Sequence, residues 1–117
     1  MNTRSVGSRY EEIAAEYLKG QGYEILQMNF RTKSGEIDIV ARDGSYLAFV
    51  EVKYRRTSGA GYAASAVNAA KQRQISRTAA LYLIKNRLPE ETPCRFDVVA
   101  LDGGEVKLYK NAFSYCG

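Results

Sequence analysis

The sequence contains no histidine and only two cysteines, Cys94 and Cys116. Without histidine there is no Ser–His or Cys–His nucleophile pair, no imidazole acid–base chemistry and no histidine-ligated metal. Two thiols alone do not complete a four-ligand zinc site. Nor do they make a disulfide framework, so a reducing, cytoplasmic setting is expected. Any metal has to be held mainly by oxygen, which favours Mg²⁺ or Mn²⁺. No apolar run reaches the ~20 residues that cross a bilayer. Met1 to Glu12 lacks the apolar core of a secretory signal. Neither membrane association nor export is therefore expected. No repeat, low-complexity tract or long linker interrupts the chain. Its 117 residues are read as one domain, 1–117, large enough for a single core.

What is present is positive charge, unevenly placed. The net charge is +4 and the pI about 9.1. Between Val52 and Pro89 stand eight basic residues, Lys53, Arg55, Arg56, Lys71, Arg73, Arg77, Lys85 and Arg87, and no acidic one. The rest of the chain holds nine basic residues against thirteen acidic. Such segregation suits a polyanion, although a solvated basic helix face has the same appearance in sequence.

Hydropathy periodicity gives the elements. Val6, Tyr10, Ile13, Ala14, Tyr17 and Leu18 recur at helical spacing over residues 4–20, and Gly20 and Gly22 end the helix. Residues 23–30 read as a strand. Ser34-Gly35 makes a turn, residues 36–41 alternate with period two, Arg42-Asp43-Gly44-Ser45 turns the chain back, and 46–54 is the return strand. The glycine-bearing segment 57–62 is a loop, either a connector or a segment that adapts to substrate. A second helix runs from about Ser65 to Arg87, with Ile75, Ala79, Tyr82 and Leu83 as its buried stripe and Leu88-Pro89 as its stop. Residues 95–101 and 105–109 are closing strands around Asp102-Gly103-Gly104. The order α-β-β-β-α-β-β predicts an α/β or α+β domain, a mixed β-sheet with flanking helices.

The chemistry lies on the central hairpin. Strand parity places Glu36, Asp38 and Val40 on one face and Ile37 and Ile39 on the other. Phe49, Glu51 and Lys53 likewise share a face. A turn centred on Asp43-Gly44 pairs Asp38 with Phe49, whereas one centred on Gly44-Ser45 pairs Asp38 with Glu51. In both registers Asp38, Glu51 and Lys53 lie on one side, with the two carboxylates roughly 5–8 Å apart by Cβ. At ~5 Å and an effective dielectric of ~20 two such charges repel by ~3 kcal/mol. Lys53 offsets part of this, and a divalent cation would balance it better. Glu11 borders the apolar stripe of the first helix and could join them, while Glu12 and Glu16 read as solvent-facing. The alternative is a solvated sheet edge carrying a Glu51–Lys53 surface pair, worth ~0–1 kcal/mol. Leu47-Ala48-Phe49-Val50-Glu51-Val52-Lys53 argues against it, because it reads as a strand covered on both faces, where unpaired charge is expensive.

Gly35-Glu36-Ile37-Asp38-Ile39-Val40 followed by Phe49-Val50-Glu51-Val52-Lys53-Tyr54-Arg55 resembles the YraN family of small bacterial proteins. The resemblance extends through Glu11, Ala14 and Tyr17-Leu18, Asn29-Phe30-Arg31, Ala66-Val67, Lys71-Gln72-Arg73, Ala80-Leu81-Tyr82-Leu83, Arg95-Phe96-Asp97-Val98-Val99 and Asn111-Ala112-Phe113. That family is similar to the PD-(D/E)xK, restriction-endonuclease-like nuclease superfamily, and in particular to its Holliday-junction resolvases. The resemblance implies that Asp38 is the motif aspartate, that Glu51 and Lys53 are its E-x-K, and that Glu11 is the helix-one glutamate of the resolvase branch. Gln72 would be the supporting polar residue on the following helix. Ile37 stands where the motif name has proline.

The function expected is metal-dependent hydrolysis of nucleic-acid phosphodiesters, in branched DNA during repair or recombination. Asp38, Glu51 and Glu11 would hold Mg²⁺ or Mn²⁺, and Lys53 would orient water and stabilise charge on phosphorus. Arg55, Arg56, Lys71, Arg73 and Arg77 would grip phosphates, DNA in preference to RNA, with little sequence readout. Resolving a junction needs two active sites and so implies a homodimer. One alternative is a non-catalytic nucleic-acid-binding module that uses the basic segment 53–87. Another is a protein-interaction domain built on the nine tyrosines.

Overall fold

A computed structural model of the protein describes residues 3–55 and 67–116, with side chains from Arg9 to Tyr54 and from Val67 to Cys116. The elements are α1 (Thr3–Gly20), β1 (Glu24–Thr32), β2 (Gly35–Asp43), β3 (Tyr46–Arg55), α2 (Ala69–Lys85), β4 (Cys94–Asp102) and β5 (Glu105–Phe113). This is the α-β-β-β-α-β-β order expected from sequence. One sheet runs β1-β2-β3-β4-β5, antiparallel throughout except for the β3–β4 pair. That parallel pair requires a crossover, and α2 lies within it. The glycine segment 57–62 and Arg56 fall outside the described residues.

Local chemistry sets the ends of the elements. Gly22 has φ 96°, which lets the Tyr23 N–H donate to the Leu18 carbonyl and closes α1. The Asn68 side chain accepts from the Lys71 N–H at 2.9 Å and caps α2. Gly103 and Gly104 both have positive φ, as a two-residue hairpin turn requires.

Helices cover both faces of the sheet. Under α2 lie Phe30, Ile37, Val40, Leu47, Phe49, Phe96 and Val98, against Ile75, Ala79 and Tyr82. Under α1 lie Tyr23, Ile39, Ala41, Ala48, Val50, Val99 and Leu101, against Ala14, Ala15 and Leu18. Ile13, expected on the buried stripe of α1, is 43% exposed; Ala15 takes its place.

Strand parity fails at one point. Ile37 packs on the α2 side and Ile39 on the α1 side, so the two do not share a face. β1 makes the same switch between Met28, on the α1 side, and Phe30, on the α2 side. Between these pairs lie Asn29 and Asp38, which skip the β1–β2 ladder. Asn29 has φ 55°, a left-handed conformation that asparagine tolerates better than branched residues. One left-handed residue rotates the strand and reverses which side chains point inward.

The outer strands are irregular. β1 shifts register between Ile25 and Gln27. β5 bulges where Phe96 pairs with Phe113 but Val98 pairs with Tyr109, with Asn111 at φ 54°. Asp97, fully buried beside that bulge, accepts from the Asn111 N–H at 2.9 Å, the Tyr23 hydroxyl at 2.6 Å and Arg95 at 2.9 and 3.0 Å. Arg95 also donates to Asp43 at 2.7 Å.

Candidate metal centre

The hairpin β2–β3 turns on Gly44-Ser45, with Asp43 opposite Tyr46. Of the two registers open in sequence, this is the one that aligns Asp38 with Glu51. The ladder stops at Ile39–Val50, and there the strands part. The Asp38 carboxylate takes up the next backbone donor, accepting from the Val52 N–H at 2.8 Å. It therefore lies in the gap between β2 and β3, within reach of side chains from both faces.

From the α1 side comes Glu11, whose carboxyl lies beside Asp38 and Asn29. From the α2 side comes Glu51, which lies beside Asp38 and is only 6% exposed. Glu36, two residues before Asp38, completes a group. Carboxylate oxygens of Glu11, Glu36 and Asp38 all lie within 4.8 Å of one another. Hard cations bind oxygen at ~2.1–2.6 Å, so that spacing lets three oxygens share one ion.

The electrostatics agree with that donor set. Burial, the neighbouring Glu51 charge and, more weakly, Glu11 push the Asp38 carboxyl up to about 8, against the partial relief given by the Val52 N–H. Burial raises the Glu11 carboxyl above its ordinary range, with the Glu36 charge adding to the rise and Asn29 opposing it. Among the described residues, positive charge lies beside Glu51 and Glu36, not between the central acids. Lys53 Nζ is 3.1 Å and Lys71 Nζ 3.7 Å from Glu51, and Arg31 is 3.2 Å from Glu36. A proton or a cation would stabilise the Asp38–Glu11 pair.

Residues 10–101 match the profile of a family described as "Uncharacterised protein family UPF0102". The chain belongs to that family, the YraN family. It is 53% identical to a UPF0102 protein of Lachnoclostridium phytofermentans over 117 residues, covering 100% of this chain and 99% of the relative. It is 47% identical to one from Symbiobacterium thermophilum, covering 95% and 98%, and 45% identical to one from Alkalilimnicola ehrlichii, covering 95% and 88%. The family profile spans Glu11, Glu36, Asp38, Glu51 and Lys53.

Of the residues expected at the site, Glu11, Asp38, Glu51 and Lys53 are brought together. Glu51 is no solvated edge residue: it is buried, with two lysines on its carboxylate. Gln72 is not directed to the acids. Its amide donates to the Val67 carbonyl at 2.8 Å, at the start of α2. Lys71, expected to grip phosphate, is the α2 residue that reaches the site. Arg73 and Arg77 are exposed on α2. The Arg55 side chain and Arg56 lie outside the described residues. Glu12 and Glu16 face solvent as expected.

Sequence reasoning did not select Glu36 as a ligand, although its i, i+2 relation to Asp38 was the available signal. It also passed over Asn29, whose left-handed backbone nothing in the sequence announces. No helix among the described residues is long and apolar enough to cross a membrane.

Proposed function

We propose that the protein is a metal-dependent nuclease that hydrolyses nucleic-acid phosphodiesters, with DNA its substrate in preference to RNA. The observation that carries this reading is the meeting of three carboxylates from α1 and β2 within 4.8 Å, beside the buried Glu51 and Lys53 of β3. Resemblance of the Asp38, Glu51 and Lys53 pattern to the PD-(D/E)xK nucleases supports it, as does a composition without histidine.

Glu11, Glu36 and Asp38 would hold Mg²⁺ or Mn²⁺, with Glu51 as a further oxygen donor next to Asp38. When bound, the ion supplies positive charge that polarises a phosphodiester and acidifies water. The chain itself supplies the rest. Lys53, held by Glu51, presents an ammonium group that can orient water and meet charge developing on phosphorus. Lys71 adds a second cation on the α2 side. Exposed Arg73 and Arg77 extend positive charge along α2 for backbone phosphates. Asp38 is fixed by the Val52 N–H, so its donor geometry is set by the backbone.

The test is cleavage of branched, single-stranded and duplex DNA and of RNA in Mn²⁺, by wild type, Asp38→Asn and Lys53→Ala. Wild type should cut at least one substrate. Each variant should lose about 10²-fold or more in rate while keeping most of its DNA affinity, since one preorganised charge is typically worth that much. Mn²⁺ should also raise the melting temperature of wild type and not of Asp38→Asn. Salt-sensitive binding by a wild type that never cuts any of these substrates would replace the nuclease with a non-catalytic binding module.

A further inference from the structure

Tyr10 of α1 and Tyr54 of β3 stack with ring centroids 3.9 Å apart and planes 15° from parallel. Phe96 and Phe113 also stack, at 5.1 Å and 14°, but there Phe96 is buried in the core. Tyr82 meets Phe30 and Phe49 edge-on and is buried. Tyr54 instead remains 46% exposed, so the stack is partly open at Tyr54.

Its position gives the surface a meaning. Tyr10 directly precedes Glu11, and Tyr54 directly follows Lys53. Tyr54 lies two residues beyond Val52, whose N–H holds Asp38. Two residues of strand span about 6.6 Å. Tyr54 is therefore anchored on β3 close to the backbone N–H that holds Asp38, and Tyr10 on α1 beside Glu11. In a continuous duplex every base face is already stacked on its neighbours, and an exposed ring finds nothing to cover. An unpaired base has a free face.

We propose that Tyr54, backed by Tyr10, is a stacking platform for an unpaired base next to the reacting phosphate. This rests on the nuclease reading and narrows it to substrates with unpaired or splayed nucleotides, such as single strands, flaps and branch points. Tyr54 is a specificity-determining residue in this scheme and takes no part in the chemistry.

The experiment uses the full chain in EDTA with a single-stranded DNA 20-mer carrying 2-aminopurine at successive positions, and a duplex of the same sequence. Wild type and Tyr54→Phe should quench the probe on the single strand. Tyr54→Leu should abolish the quench and weaken single-strand binding about 5- to 100-fold, the range expected for one base–aromatic stack, with duplex affinity unchanged. The melting temperatures of the three proteins separate a folding defect from lost stacking. If Tyr54→Leu folds and binds single strands like wild type, or loses single-strand and duplex affinity equally, the platform is refuted. Cleavage in Mn²⁺ is scored separately. A wild type that cuts, with Tyr54→Leu showing unchanged substrate preference, overturns the platform and leaves the nuclease standing. A Tyr54-dependent quench in a protein that never cuts leaves the platform standing as part of a binding module. A wild type that binds no oligonucleotide overturns both.

Discussion

Asp38 concentrates the electrostatic tension of the molecule. In the unfolded chain its carboxyl titrates near 3.8; in the fold it is raised to about 8. Between those values the native state holds a proton that the unfolded state has released. Stability contributed by the protonated acid is therefore complete below about pH 4 and is lost as pH rises towards 8. At ~1.4 kcal/mol per pKa unit, the loss is several kcal/mol. An Asp38→Asn variant keeps a neutral group in the same place, so metal-free Asp38→Asn should melt above wild type at pH 8.5, with the gap closing by pH 5. Equal melting temperatures at both values would show that the acids are better solvated than their burial implies. Asp97 is the opposite case. Tyr23, Arg95 and the Asn111 N–H all donate to its carboxylate, and Asp97→Ala would leave the Asn111 N–H without its acceptor and Arg95 with Asp43 as its remaining carboxylate. Breaking a buried ion pair from one side costs about 3–5 kcal/mol, which urea denaturation would read as a lower midpoint.

At the scale of elements, α2 is seated on β2 through Gly35. A Cβ there would lie 2.5 Å from Gln74 Cγ, and the backbone φ of 152° is one that side-chain-bearing residues rarely adopt. Gly35→Ala should cost about 1–3 kcal/mol by overpacking. Adding Gln74→Ala should recover part of that loss in denaturant melts, since the two substitutions share one contact. The helices, strands and their order were legible because each repeats a period over many residues. Asp38, Glu51 and Lys53 were legible because polar groups interrupt an apolar strand. The face reversal at Asn29 and Asp38 was not, because period-two reasoning assumes an unbroken ladder and a single left-handed residue overrides it. That Lys71, one position before Gln72, is the residue paired with Glu51 was not legible for a related reason. Adjacent positions on a helix differ by about 100° in direction, and only the seating of α2 decides which one meets Glu51.

For the whole molecule, the basic stretch of sequence divides between the site and the surface. Lys53 and Lys71 are held by Glu51, whereas Arg73 and Arg77 are exposed and available to phosphate. If both arginines contact DNA, log affinity should fall less steeply with log salt in Arg73→Ala/Arg77→Ala, by about 2 in slope, since each neutralised phosphate contributes ~0.9. A fluorescence-anisotropy salt titration reads this directly, and the melting temperature should not move, because neither side chain is buried. An unchanged slope would place the DNA on another face.

The bulges in β1 and β5 bear on how copies of this chain can meet. A straight outermost strand invites a neighbour to extend the sheet, which is the common beginning of fibrils and of strand-swapped pairs. Here neither flank offers a continuous row of amides, and the β5 flank also displays Lys107 and Lys110. A twofold assembly able to act on both arms of a branched molecule would have to join through helices or loops, leaving the sheet five strands wide.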